Sequence, residues 1–116
     1  MSEDTLMMTM LLDFYGELLT ERQRQCFSMH YNEDLSLAEI AEIMDISRQG
    51  ARDLIVRAEA TLTETEKKIG VVRRYTQQRD TAEKMTAELN ELMGLTGGRA
   101  GELVQSLAKG LDSLRN

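Results

Sequence analysis

The chain has 116 residues with no proline and only 4% aromatics, the size of one domain with room for an added arm, and its wealth of Ala, Leu, Met, Glu, Gln and Arg favours helix. One cysteine, Cys26, excludes an intrachain disulfide framework. No apolar run approaches the roughly 20 residues needed to cross a bilayer, and the acidic start lacks the basic block of a secretory signal, so a cytoplasmic protein without membrane insertion is expected. The net charge of −6 is uneven: residues 1–46 hold ten acids against Arg22 and Arg24, residues 47–79 eight bases against four acids, and residues 80–116 six acids against four bases. A basic belt of this kind marks either contact with a polyanion or a solvated helical face.

In chain order, the spacing predicts a first helix over 4–19 with Asp4 as its N-cap. Leu6, Met10, Leu11, Phe14 and Leu18 form an apolar stripe, widened by Met7 and Leu12, that suits a core or a dimer surface. Thr20 and Gln23 fit a capping box for a second helix over 21–31, whose apolar side holds Phe27 and Tyr31 with Cys26 and His30. The polar run Asn32-Glu33-Asp34 reads as a loop. Two short helices follow within Leu35–Ala58. The first buries Leu37, Ile40, Ala41 and Met44 and starts at a Ser36/Glu39 capping box; the second buries Ala51, Leu54, Ile55 and Ala58 behind Ser47. Asp45-Ile46 joins them, with Ile46 placed to plug the angle. This is the sequence form of a helix-turn-helix.

The expected fold is therefore all-α: a compact helix-turn-helix bundle of about four short helices over 1–60, then a long C-terminal helix over 61–93, whole or broken near Gly70. Residues 94–116 read as a third segment, with Gly94–Gly101 as a flexible linker and 102–114 as a short amphipathic helix carrying Leu103, Leu107, Leu111 and Leu114.

Catalytic chemistry is hard to find. Cys26 and His30 lie four apart on one helix face, but nothing else supplies further metal ligands at an informative spacing, or an orienting group for a nucleophile. The glycine-rich stretch lacks the Lys-Ser/Thr of a phosphate-binding loop. A non-enzymatic protein is expected, with no catalytic residue, metal or cofactor.

Binding chemistry is easier to place. Arg48, Gln49, Arg52, Asp53, Val56 and Arg57 fall outside the buried face of the second motif helix. Arg and Gln suit the edges of guanine and adenine, and Ser47 at the helix start suits a phosphate. The expected nucleic-acid-binding residues are Ser47, Arg48, Gln49, Arg52, Arg57, Lys67, Lys68, Arg73 and Arg74. Against duplex DNA, Glu39, Glu42 and Asp45 crowd the first motif helix, and three or four arginines would give a log–log salt slope of only roughly −3.

Residues 19–58 resemble region 4 of bacterial sigma factors, through Leu19-Thr20-Glu21-Arg22-Gln23, Ser36-Leu37-Ala38-Glu39-Ile40-Ala41 and Ile46-Ser47-Arg48-Gln49. Residues 4–93 more closely resemble the YlxM family of small bacterial helix-turn-helix proteins, adding Leu6–Leu18, Lys67-Lys68-Ile69 and Gln78-Arg79. Ser47, Arg48, Gln49 and Asp53 match that family's pattern, whereas Gly50-Ala51-Arg52 departs from the more usual Ala-Val-aromatic. The resemblance implies an accessory or regulatory role in the signal recognition particle pathway, with the particle's GTPase and RNA as partners. The tail after residue 94 falls outside it. The alternative expectation is a sequence-specific DNA-binding regulator. A homodimer is expected on either reading, because the wide apolar first helix and the thinly apolar long helix each need a partner.

Overall fold

Four short hydroxyl side chains set the helix starts of the first seventy residues. In the computed structural model, which describes residues 2–115, Ser2, Thr20, Ser36 and Ser47 each sit on extended backbone and accept the amide three residues ahead. Each bond satisfies an amide that the helix itself leaves without a partner, a contribution of about 1 kcal/mol. From these caps run α1 (Glu3–Tyr15), α2 (Glu21–Tyr31), α3 (Leu37–Met44) and α4 (Arg48–Ile69); α5 (Val71–Met93) and α6 (Gly98–Arg115) follow. No strand occurs among the described residues, and the protein is all-α.

Three helix starts agree with the sequence reading to the residue: α2 and α3 begin behind full capping boxes, Thr20 with Gln23 and Ser36 with Glu39, and α4 begins behind Ser47. Other expectations are corrected. The N-cap of α1 is Ser2, not Asp4, and the helix stops at Tyr15, giving way to a single 3-10 turn over Gly16–Leu18. Its buried residues are Leu11 and Tyr15, whereas Leu6, Met7, Phe14 and Leu18 are exposed. The stripe predicted from Leu6 to Leu18 is thus only partly the core face. The fourth helix is not short: α4 runs 22 residues to Ile69, so the region from 61 is its continuation. Gly70 then ends it in the left-handed conformation, φ 68°, which glycine adopts without the clash a Cβ would bring. The segment expected as a linker over 94–101 is shorter, because α6 already begins at Gly98.

The helix-turn-helix angle is closed by backbone bonds. Asp45 adopts φ 56°, and the Ile46 amide donates back to the Ala41 carbonyl at 3.0 Å. This loop occupies carbonyls at the end of α3 and turns the chain into Ser47. Ile46 packs, partly buried, against Ile40, Ala41, Ala51, Ile55 and Cys26, as the plug the sequence suggested. A second cluster gathers Leu11, Tyr15, Leu19, Phe27, Ala58, Leu62 and Val72. Small residues at Ala41, Ala51 and Ala58 allow close helix approach, and Phe27, Ile40 and Leu62 fill the space they leave. Truncating Phe27 to alanine would be expected to cost about 3–5 kcal/mol.

The end of this core is tied by a polar joint. The Tyr15 hydroxyl donates to Glu66 Oε1 at 2.7 Å and accepts the Val71 amide at 3.2 Å, while Glu66 Oε1 also accepts the Val72 amide at 3.1 Å. The first amides of α5 are thereby satisfied by side chains from α1 and α4.

The chain divides into two compact units, residues up to Val72 and residues from Arg73 onward. The second is a hairpin of α5 and α6. Val104 is its one buried residue among those described, and Met85, Leu89, Leu107, Leu111 and Leu114 line an apolar groove of about 500 Å³.

Candidate nucleic-acid interface

The first turns of α4 carry the candidate site. Ala51, Ile55, Ala58 and Leu62 are buried at a helical spacing, so the opposite side faces out. Arg48, Gln49, Arg52, Asp53, Val56 and Arg57 are all exposed, as the spacing predicted. A helix turns about 100° per residue, which sets Arg48 and Arg52 along one edge of this face, Gln49 and Val56 in its middle, and Asp53 and Arg57 towards the other edge. From Arg48 to Arg57 the site extends roughly 14 Å.

The Ser47 hydroxyl is occupied. It accepts the Gly50 amide at 2.9 Å, so its role is to cap the helix, and the further free amides of that first turn remain for an anion. A Cβ at position 50 would stand 3.1 Å from that hydroxyl, so glycine here leaves the cap uncrowded. Gln49 Nε2 donates to Asp53 Oδ1 at 2.9 Å, one turn along. This bond orients the Gln49 amide beside the Asp53 carboxylate, which keeps its negative charge. Among the described residues, no carboxylate makes an ion pair with Arg48, Arg52 or Arg57.

The rest of the expected basic set is dispersed. Lys67 and Lys68 are exposed near the C-terminal end of α4, roughly 15 Å beyond Arg57, and Lys67 pairs loosely with Glu64 at 3.8 Å. They sit where positive charge suits the helix dipole, which is a structural role in its own right. Arg73 and Arg74 lie in α5, in the second unit. The belt that is continuous in sequence is therefore divided between the two units.

The acids near the turn are real. Glu39, Glu42 and Asp45 are exposed, and Glu39 is held at the start of α3 by the Ser36 amide and hydroxyl, which keep its carboxyl below the usual range and so ionised. One basic residue near the face escaped the sequence reading. Arg22, in the first turn of α2, lines a hollow of about 310 Å³ together with Ile46, Gly50, Asp53, Leu54 and Arg57. No local spacing links Arg22 to Arg57; only the packing of α2 on α4 brings them together.

Cys26 and His30 are structural. Cys26 is fully buried against Met44, and burial pushes its thiol up, so the thiolate is disfavoured even though Arg22 acts the other way. His30 Nδ1 faces the Leu35 carbonyl at 3.3 Å and its ring meets Tyr31 edge-on. Among the described residues, no three His, Cys, Asp or Glu side chains gather at a spacing that would hold a metal ion.

Comparison with known proteins gives the family. The profile of the UPF0122 family, described as "Putative helix-turn-helix protein, YlxM / p13 like", matches residues 2–95. The chain belongs to the UPF0122 family. A UPF0122 protein of Thermoanaerobacter sp. strain X514 is 53% identical over 75 residues, covering 65% of this chain and 64% of that relative, a little under two thirds of its length. UPF0122 proteins of Halalkalibacterium halodurans and Geobacillus kaustophilus match nearly end to end. They are 40% identical over 115 residues and 38% over 114, covering 98% of this chain and 99% of each relative. The tail beyond residue 94, expected to fall outside the resemblance, is thus shared with some UPF0122 relatives. No helix among the described residues is long and apolar enough to cross a membrane.

Proposed function

We propose that this UPF0122 protein is a non-enzymatic, cytoplasmic helix-turn-helix accessory factor of the signal recognition particle pathway, contacting the particle's RNA and its GTPase. The observation that carries the reading is the exposed start of α4, where Arg48, Gln49, Arg52 and Arg57 stand with no ion-pairing carboxylate among the described residues. Ser47 presets the helix start, and Lys67 and Lys68 add positive charge further along the same helix. RNA helices are recognised through phosphates and shape more than through base edges, and a modest set of exposed arginines suits that task. The acids of α3 would repel the backbone of a duplex laid along the turn, which favours a partner that meets α4 from one side. The pathway assignment rests on the resemblance to YlxM proteins. Titration of the chain with the particle's RNA and, separately, its GTPase at low salt tests it. Saturable binding to either supports the reading; binding to neither rejects it.

A second reading is a sequence-specific DNA-binding regulator, favoured by the helix-turn-helix itself and by Arg48, Gln49 and Arg52 on one exposed face. Selection from random duplexes decides it: an enriched motif supports the regulator, and an unenriched pool removes it. On either reading the protein acts as a homodimer, with exposed apolar residues of α1 or of the α5–α6 hairpin meeting their copies.

A further inference from the structure

We propose that the hollow between α2 and α4 is a phosphodiester-binding site in which Arg22 and Arg57, from different helices, grip one backbone phosphate of the bound nucleic acid. The inference deepens the proposed polyanion contact and rests on it, because the phosphate belongs to the strand that α4 meets.

The hollow is lined by Arg22, Ile46, Gly50, Asp53, Leu54 and Arg57. Its two guanidiniums come from residues 35 apart in sequence, and both are exposed. Among the described residues neither has an ion pair, in contrast to Arg24 on the same helix, which is paired with Glu21 at 3.2 Å. Two guanidiniums against the single Asp53 carboxylate leave this open, partly apolar hollow with an excess positive charge until an anion enters. A phosphate balances that excess and accepts planar, paired hydrogen bonds from guanidinium. The floor is made by Ile46 and Leu54, half-buried side chains that remove water from one side of the ions and strengthen the attraction. Gly50 contributes no side chain, so the hollow stays open at the edge of α4. Asp53 is the one carboxylate there, and its Oδ1 is already engaged by Gln49.

The position also fits how a helix meets a groove. Arg48 and Arg52 line one edge of the exposed α4 face and Arg57 lies towards the other. A helix lying in a groove has a phosphate backbone on each side, and the Arg22–Arg57 pair supplies cations to the side that Arg48 and Arg52 do not reach. Phosphodiesters of RNA and DNA share this chemistry; which of them binds is read from the two arms of one experiment.

The full-length chain, its Arg22→Ala, Arg57→Ala and double variants, and Arg24→Ala as a control are titrated with a labelled 16-base-pair RNA duplex and with a DNA duplex of equal length, over a series of KCl concentrations. Thermal melts establish that each variant is folded; all three arginines are exposed. On the duplex that binds, Arg22→Ala and Arg57→Ala are each expected to weaken affinity about three- to tenfold and to reduce the log–log salt slope by just under about 1, the loss of one phosphate contact. The double variant is expected to lose less than the product of the two, because the pair serves one phosphate. Arg22→Lys is expected to keep the parent salt slope but only part of the affinity, since lysine lacks the paired donors. If Arg22→Ala binds like Arg24→Ala while the parent chain binds normally, the site is overturned and the wider polyanion reading stands. If the parent chain binds neither duplex at the lowest salt, both fall together.

Discussion

At the level of single residues, the features that could be read from sequence are those whose partners lie within a turn. Thr20 with Gln23 and Ser36 with Glu39 are separated by three residues, and both capping boxes form. Tyr15 and Tyr31 were another matter. Tyr15 sits between apolar neighbours in a stripe that can be drawn without it, yet its hydroxyl bonds Glu66 and Val71, 51 and 56 residues away. Tyr31 likewise donates to Glu59. For both phenols, burial first and the carboxylate partner second push the pKa above the ordinary 10.0. The folded chain therefore keeps these protons at a pH where the unfolded chain has lost them. The stability they supply is complete below about pH 10 and declines as pH rises beyond it. Urea midpoints measured from pH 8 to 11 should fall above pH 10, and the fall should be shallower in Tyr15→Phe and Tyr31→Phe. Parallel curves for parent and variants would contradict the assignment.

At the level of elements, the helix-turn-helix was legible because its two periods, its capping box and its turn are all local. Local sequence is ambiguous where a glycine falls within a helical pattern. A helical pattern runs through 61–93 with Gly70 inside it, and periodicity alone does not say whether glycine is tolerated or ends the helix. The left-handed backbone at Gly70 and the Tyr15–Glu66 joint end it, and that joint spans α1, α4 and α5. Near the C-terminus the opposite happened: Gly101 lies within α6, although its neighbourhood reads as a linker. The local cost of glycine in a helix, about 1 kcal/mol, is small enough for the remaining helical pattern to override. Gly70→Ala places a Cβ on a backbone at φ 68° and should cost roughly 1 kcal/mol, measured by chemical denaturation. A neutral or stabilising effect would mean that the joint does not hold the left-handed turn.

At the level of the whole molecule, charge and apolar surface each ask for a partner. The exposed arginines of α4 were legible from the seven-residue rhythm of its buried face, because a helix with a known inside has a known outside. Arg22 was not, because it joins them only through the packing of α2 on α4. Leu6, Met7 and Leu18 in the first unit, and Leu103, Leu107 and Leu114 in the second, remain exposed in one copy. Light scattering at micromolar concentration should give twice the mass of one chain; the mass of a single chain would leave those residues without the proposed explanation. The central claim, that the start of α4 binds the particle's RNA, is tested most directly by one paired titration. The parent chain and the Arg48→Ala, Arg52→Ala double variant are titrated with that RNA at low salt, with folding checked alongside. The account predicts affinity about tenfold or more weaker and a log–log salt slope smaller by about 1 to 2 in the variant. Equal affinity and equal slope would contradict it.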